Sequence, residues 1–214
     1  MINTVFFDLD GTLVDTAPDL GYALNLQLER HGKPHLSDAM IRPVASHGSR
    51  GLIGLGFGLT PNDADFVALR DEYLDLYDQV FTRSPKLFDG MDEVLKVLEK
   101  KNKWGIVTNK PRRFTRPLVE SLGLLTRAAC VVSGDDAAKP KPSPETLLLA
   151  CKEARVKPEH CIYIGDAARD IEAGKSAGMK TAVALFGYLD ETDKPHEWGA
   201  DAMIKAPAEV LGLI

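Results

Sequence analysis

The chain has 214 residues, 44% of them apolar and 27% charged, which excludes a globally disordered protein and, at roughly 150 residues per domain, fits one large domain or one domain with an insert. Its net charge of −5, from 26 Lys and Arg against 31 Asp and Glu, excludes a continuous basic face for nucleic acid. No apolar run approaches the roughly 18 residues of a membrane span, residues 1–7 lack the basic start of an export signal, and Cys130, Cys151 and Cys161 form no close redox or zinc pair, so a cytosolic protein with reduced thiols is expected.

In chain order, the first strand is expected at residues 4–8, a short run rich in apolar and β-branched side chains that ends in aspartate. From about Pro18 to Pro85 the pattern changes: Leu20, Ala23, Leu24 and Leu28 recur at helical spacing, residues 66–80 do the same, and no strand is evident. This interval reads as an α-helical insert, with Pro85 marking the return to the main domain. Boundaries follow at 1–15 and 86–214 for an α/β core and 16–85 for the insert. Beyond it, helical spacing at Val94, Leu95, Val97 and Leu98 precedes a strand at 104–109. Leu118, Val119 and Leu122 precede a strand at 129–134, and an apolar helix at 147–150 precedes strands at 161–166 and 181–186. Alternating strand and helix predicts a doubly wound, Rossmann-like parallel sheet covered on both faces, with ligands bound beyond the carboxyl ends of its strands.

Those carboxyl ends carry the reactive residues. The first strand runs into Asp8-Leu9-Asp10-Gly11-Thr12. Residues i and i+2 of an extended chain point the same way, so two carboxylates leave the strand together where Gly11 permits a sharp turn. Such a pair suits a nucleophile with an acid/base partner, or a shared divalent metal. Thr108-Asn109 ends the next strand, Lys141-Pro142 follows the third, and Gly165-Asp166 with Asp170 follows the fourth. On one rim of a parallel sheet, Asp8, Asp10, Thr108, Lys141, Asp166 and Asp170 are expected to converge.

In order, residue type and spacing this constellation resembles the four motifs of the haloacid dehalogenase superfamily. The resemblance implies that Asp8 is the nucleophile and becomes an aspartyl-phosphate, and that Asp10 protonates the leaving oxygen and then activates water. It implies phosphate or substrate contacts from Thr12, Thr108 and Asn109, charge compensation by Lys141, and Mg²⁺ held by Asp8, the Asp10 backbone carbonyl and Asp166, with Asp170 a ligand or its neighbour. Lys139 also precedes a proline, but Lys141-Pro142-Ser143-Pro144 fits the family's register. Asp170 also suits the first turn of a helix, where the dipole favours a carboxylate.

Asp10 separates the chain from dehalogenases, which lack a second aspartate. The insert holds no lysine from Pro34 to Pro85, unlike phosphonatases, and Thr12 stands where phosphosugar mutases usually carry valine. A phospho-receiver signalling module normally has adjacent acidic residues and no helical insert. The insert resembles the superfamily's mobile cap. Within it, residues 46–51 suit a helix start at which Arg50 meets a substrate anion, although a solvated arginine fits equally. Residues 8–16, Gly48 with Arg50, and Val107-Thr108-Asn109-Lys110-Pro111 resemble the phosphoglycolate phosphatase branch. Trp104-Gly105, Arg113-Phe114, Gly187-Tyr188 and residues 198–201 resemble N-acetylmuramic acid 6-phosphate phosphatases. The expected activity is therefore a cytoplasmic, Mg²⁺-dependent phosphomonoesterase of the phosphoglycolate phosphatase type. Hydrolysis of N-acetylmuramic acid 6-phosphate is the alternative, and the partner is a small phosphorylated metabolite. The sequence fixes no oligomeric state.

Overall fold

In the computed structural model, which describes residues 1–214, the first strand, β1 (Thr4–Phe7), buries a side chain on alternate faces. Val5 and Phe7 join one apolar cluster and Phe6 another, the period-two pattern of a strand covered on both sides. A short strand β2 (Val14–Asp15) leads into four helices, α1 (Ala17–Arg30), α2 (Asp38–Ile41), α3 (Gly48–Phe57) and α4 (Phe66–Asp78), and a short strand β3 (Lys86–Leu87) leads out. Then follow α5 (Met91–Leu98), β4 (Lys103–Val107), α6 (Arg112–Ser121), β5 (Val131–Val132), α7 (Glu145–Ala154), β6 (Cys161–Gly165), α8 (Ala168–Ser176), β7 (Lys180–Ala184) and β8 (Ala202–Ile204).

Six strands form one sheet in the order β5-β4-β1-β6-β7-β8, every pairing parallel. The expected Rossmann-like α/β architecture is thus present. The strand order grows from β1 through β4 to β5 on one side and resumes with β6 on the other. That reversal opens a crevice beyond the carboxyl end of β1, where open α/β sheets bind ligands. Trp104, Ile106, Ile162 and Ile164 pack with α5 and α6 on one face, while Cys161 and Tyr163 pack with α7 and α8 on the other. Truncating a fully buried ring such as Phe7 to alanine removes about 3–5 kcal/mol from this core.

The helices between β2 and β3 have their own apolar cluster. Leu20, Ala23, Leu24 and Leu28 of α1 meet Leu52 and Ile53 of α3 and Tyr73, Leu76 and Tyr77 of α4. Phe114 and Tyr188, from later in the chain, join the same cluster and tie these helices to the elements around the sheet. At its base β2 pairs antiparallel with β3, Val14 opposite Leu87 and Asp15 opposite Lys86.

Sequence periodicity does not reveal this ribbon, nor β8 or α2, because two to four residues are too few to display a period. For the same reason the strand expected at 129–134 contracts to Val131–Val132. No helix is long and apolar enough to cross a membrane.

Candidate active site

Asp8 follows β1 directly and is 4% exposed. Its backbone N–H donates to the Ile164 carbonyl at 2.8 Å, extending the sheet's ladder to the rim. Gly11 then turns the chain at φ +82°. A side chain there would collide with Asp166, whose Oδ2 lies 2.3 Å from the position a Cβ would take, so two of the rim's loops meet only because one has no side chain. Gly165, at the end of β6, is likewise pressed against Asp170.

The Lys141 ammonium is fully buried between carboxylates. Its Nζ lies 2.7 Å from Asp170 Oδ1 and 2.9 Å from Asp8 Oδ1, and it donates to the Tyr163 hydroxyl at 2.6 Å. Tyr163 in turn donates to the Val107 carbonyl at 2.7 Å. Burial pulls the Lys141 ammonium down, but the charges of Asp170 and Asp8 outweigh it and hold the group above its ordinary range. Lys139 stays exposed. Asp170 serves twice: Oδ1 takes Lys141, while Oδ2 accepts the Ala167 N–H at 3.0 Å at the start of α8.

Asp166 accepts from three directions. Thr12 Oγ1 donates to its Oδ1 at 3.2 Å, and Ser46 Oγ at 2.6 Å and the Tyr188 N–H at 2.9 Å donate to its Oδ2. Burial, reinforced by the charges of Asp8 and Asp170, raises its carboxyl to about 7 against the pull of the Ser46 and Tyr188 hydrogen bonds. Asp8 is raised too, by burial first and Asp170 next, while Lys141 and Arg169 oppose the shift.

Ligand oxygens of Asp8, Asp166 and Asp170 lie within 4.8 Å of one another. Asp8 Oδ1 is buried without a hydrogen bond, its contact with Lys141 being ionic in geometry only. Three buried carboxylates, two of them raised by mutual repulsion and burial, form an oxygen-donor set that fits a hard divalent cation.

The Asp10 side chain stands apart from this trio. Its Oδ1 accepts from Thr16 Oγ1 at 2.5 Å and from Lys110 Nζ at 3.0 Å, and its carboxylate is not a member of the acidic cluster. Asp8, Asp10, Thr108 and Asn109 line a cavity of about 830 Å³ that extends to Arg50 in α3 and to Tyr73 and Tyr77 in α4. Two side chains expected to touch substrate have protein partners in the structure. Thr12 is fully buried and spends its hydroxyl on Asp166. The Asn109 amide clamps the backbone of Lys141, accepting its N–H at 2.8 Å and donating to its carbonyl at 2.9 Å. Thr108 Oγ1 accepts the Lys110 N–H at 3.1 Å. Arg50 is exposed on the cavity wall, at the third residue of α3.

Four further residues belong to this network. Lys110 is 6% exposed and donates both to Asp10 and to the Tyr77 hydroxyl, at 2.8 Å. Arg169 lines the cavity and donates to the Ser46 carbonyl at 2.6 Å, so Ser46 and Arg169 together join the insert to the rim. Tyr163 anchors Lys141. Lys110 and Arg169 lie inside motif runs at strand ends, and the rule that such ends carry function is the signal that finds them. Ser46 and Tyr163 reach the site through pairings 120 and 22 residues apart, for which a single sequence holds no mark.

Comparison with known proteins gives the family and the fold. The model of the family described as haloacid dehalogenase-like hydrolase matches residues 5–184. An N-acetylmuramic acid 6-phosphate phosphatase of Pseudomonas putida is 42% identical over 214 residues, which span 100% of this chain and 96% of that protein. A phosphoglycolate phosphatase of Xanthomonas campestris pv. campestris is 39% identical over 207 residues, covering 96% and 93%. A solved haloacid dehalogenase-like family hydrolase of Streptococcus pneumoniae shares the fold at a TM-score of 0.85, with 21% identity and coverage of 99% and 98%.

Proposed function

The chain belongs to the haloacid dehalogenase-like hydrolase family and is one of its phosphatases, and from that premise we propose that it hydrolyses a phosphorylated carboxylic acid of the cytosol through an aspartyl-phosphate on Asp8. The observation that carries this reading is the floor of the cavity, where Asp8 lies 2.9 Å from a fully buried ammonium and beside two further carboxylates. A carboxylate attacks a phosphate dianion only where positive charge offsets their repulsion.

In this mechanism an Asp8 oxygen forms a bond to phosphorus as the ester P–O bond breaks, and Asp10 gives its proton to the departing alkoxide. Asp10 then takes a proton from the water that attacks the phosphorus of the aspartyl-phosphate, which restores Asp8 and releases inorganic phosphate. Hydrogen bonds from Thr16 and Lys110 aim the Asp10 carboxylate. Lys141 holds Asp8 and balances its charge, and Asn109 fixes the Lys141 backbone. Thr108 stands on the cavity wall as the neighbour of the transferred group. Asp8, Asp166 and Asp170 would hold a hard divalent cation, Mg²⁺ in this reading, which when bound would supply further neutralisation of the phosphoryl charge.

The reading includes a core domain of residues 1–15 and 86–214 and a cap of residues 16–85 that excludes water from the site. The separate apolar cluster of α1, α3 and α4 and the ribbon at its base support that division.

For the substrate, the relatives suggest 2-phosphoglycolate and N-acetylmuramic acid 6-phosphate, each a phosphate ester with a carboxylate, for which Arg50 is the facing cation. A cavity of about 830 Å³ with Leu20, Leu74, Tyr73, Tyr77 and Phe114 on its walls exceeds the needs of a two-carbon acid. Its size and apolar walls favour the larger, carbon-rich sugar acid. Measuring kcat/KM for both esters side by side tests the choice. A preference for 2-phosphoglycolate overturns the argument from size, and no turnover of any phosphomonoester overturns the activity.

A further inference from the structure

At the opposite rim of the sheet lies a second cavity, of about 620 Å³, between the starts of β1, β4 and β6 and the end of α7. Lys101, Lys103, Lys152, Arg155, Lys157 and His160 line it and no carboxylate does, in a chain whose net charge is −5. Local structure explains part of this grouping. Lys103 Nζ donates to the Ala154 carbonyl at 2.8 Å, and Lys152 lies in the last turn of α7, where the helix dipole favours a cation. Lys157 has only Glu159, 3.9 Å away and well exposed. The side chains of Lys101 and Arg155 have neither an ion pair nor a hydrogen bond.

Two observations set the cavity apart from an ordinary solvated surface. Arg155, which ends α7, is the one non-glycine residue with a positive φ, at φ 55° and ψ 55°. Glycine usually fills that place because it takes the left-handed region without penalty, so a guanidinium is held here at a conformational cost. Beside it, His160 Nδ1 is buried without a hydrogen-bond partner.

We propose that this cavity binds a compact oligoanion, a small molecule bearing several phosphate or equivalent anionic groups, at a site separate from the catalytic one. Like charges gathered in a concavity repel one another until a multivalent counter-charge enters, and only Cys151 and Val156 offer apolar lining, too little for an aromatic or lipid body. The negative charge of the chain as a whole and the clustering of these exposed cations around one concavity favour a compact ligand over an extended polyanion.

The test is a titration of the full chain with tripolyphosphate, Mg²⁺ kept in excess, at physiological ionic strength, followed by backbone amide NMR and calorimetry. Saturable shifts are expected at Asn3, Cys151, Val156 and Cys161, with inorganic phosphate weaker at the same resonances. In a Lys101→Ala/Arg155→Gly double variant the affinity should fall about tenfold, the product of two exposed charge contacts, while phosphomonoester turnover stays unchanged. Arg155→Gly relieves the backbone, so its melting temperature should not fall, and loss of folding is no explanation for lost binding. Shifts confined to the Asp8 and Thr108 rim, equal affinity in the double variant, equal affinity for inorganic phosphate, or equally tight binding of a short DNA duplex would each overturn the proposal.

Discussion

The rim of the sheet and the helical wall above it face the same cavity but are built on different principles. On the rim, Asp8, Thr108, Lys141, Asp166 and Asp170 are 0–4% exposed, and each of the four charged ones is held by partners from other loops. On the wall, Leu24, Leu52 and Tyr73 do the holding by apolar packing, and the charged groups presented to the cavity, Arg50 and Arg70, are respectively exposed and half-buried. The rim is therefore a cooperative electrostatic unit, in which removing the Lys141 ammonium leaves carboxylates buried and uncompensated. The wall is an apolar scaffold that meets this unit at Ser46 and Tyr77, while Arg50 stands free of it.

Perturbing each region in turn sharpens that contrast. The largest effect is expected for Asp8→Asn, with kcat reduced at least about a thousandfold and the melting temperature retained, since one charge leaves a crowded trio; turnover near that of the wild type would remove Asp8 from the reaction. Lys141→Met strips the ammonium from between two buried carboxylates and should cost about 3–5 kcal/mol of stability, read from denaturant midpoints. An unchanged midpoint would show that the rim is not a unit. Asn109→Ala deletes the clamp on the Lys141 backbone without altering charge, and kcat should drop about 10–100-fold at nearly constant KM. A change in KM alone would instead make Asn109 a substrate contact.

Proton linkage gives a smaller effect. The buried Asp166 carboxyl, raised to about 7 in the metal-free chain, binds a proton more tightly folded than unfolded. Its contribution is complete below about pH 4 and is lost as pH rises through 7. Metal-free protein should therefore melt progressively lower between pH 4 and 7, and excess Mg²⁺, which favours the ionised carboxylate, should flatten that slope. A metal-free melting temperature that climbs across this window contradicts the assignment. The smallest change belongs to the wall: Arg50→Ala should raise KM about two- to fivefold, as for a partly solvated ion pair, and leave kcat intact.

The same contrast governs what the sequence discloses. Asp8, Lys141, Asp166 and Asp170 each follow a buried strand or open a helix, and the parallel sheet brings strand ends together, so their convergence is readable from order and spacing alone. Periodicity likewise locates α1 and α4, whose apolar faces repeat over several turns. Side-chain direction is a different kind of information. Thr12 turns to Asp166, Asn109 to the Lys141 backbone and the Asp10 carboxylate to Lys110 because of neighbours about 30 to 150 residues away, and no local pattern encodes such a choice. Ser46 lies in the run 46–51 that the sequence marks as a helix start, but its pairing with Asp166 and Arg169 is unreadable for the same reason.

One small feature reaches further than its size. Because Val14 pairs with Leu87 and Asp15 with Lys86, the chain leaves and re-enters the sheet domain at neighbouring points, as if the intervening helices were the tip of a hairpin. For the sheet domain the entropy of closing that excursion grows only with the logarithm of its length, so the ribbon behaves as a socket. The register of β1 and the approach of Asp8 to Lys141 are set on the sheet side of that ribbon, and Ser46, Phe114 and Tyr188 are the points at which wall and rim must still match.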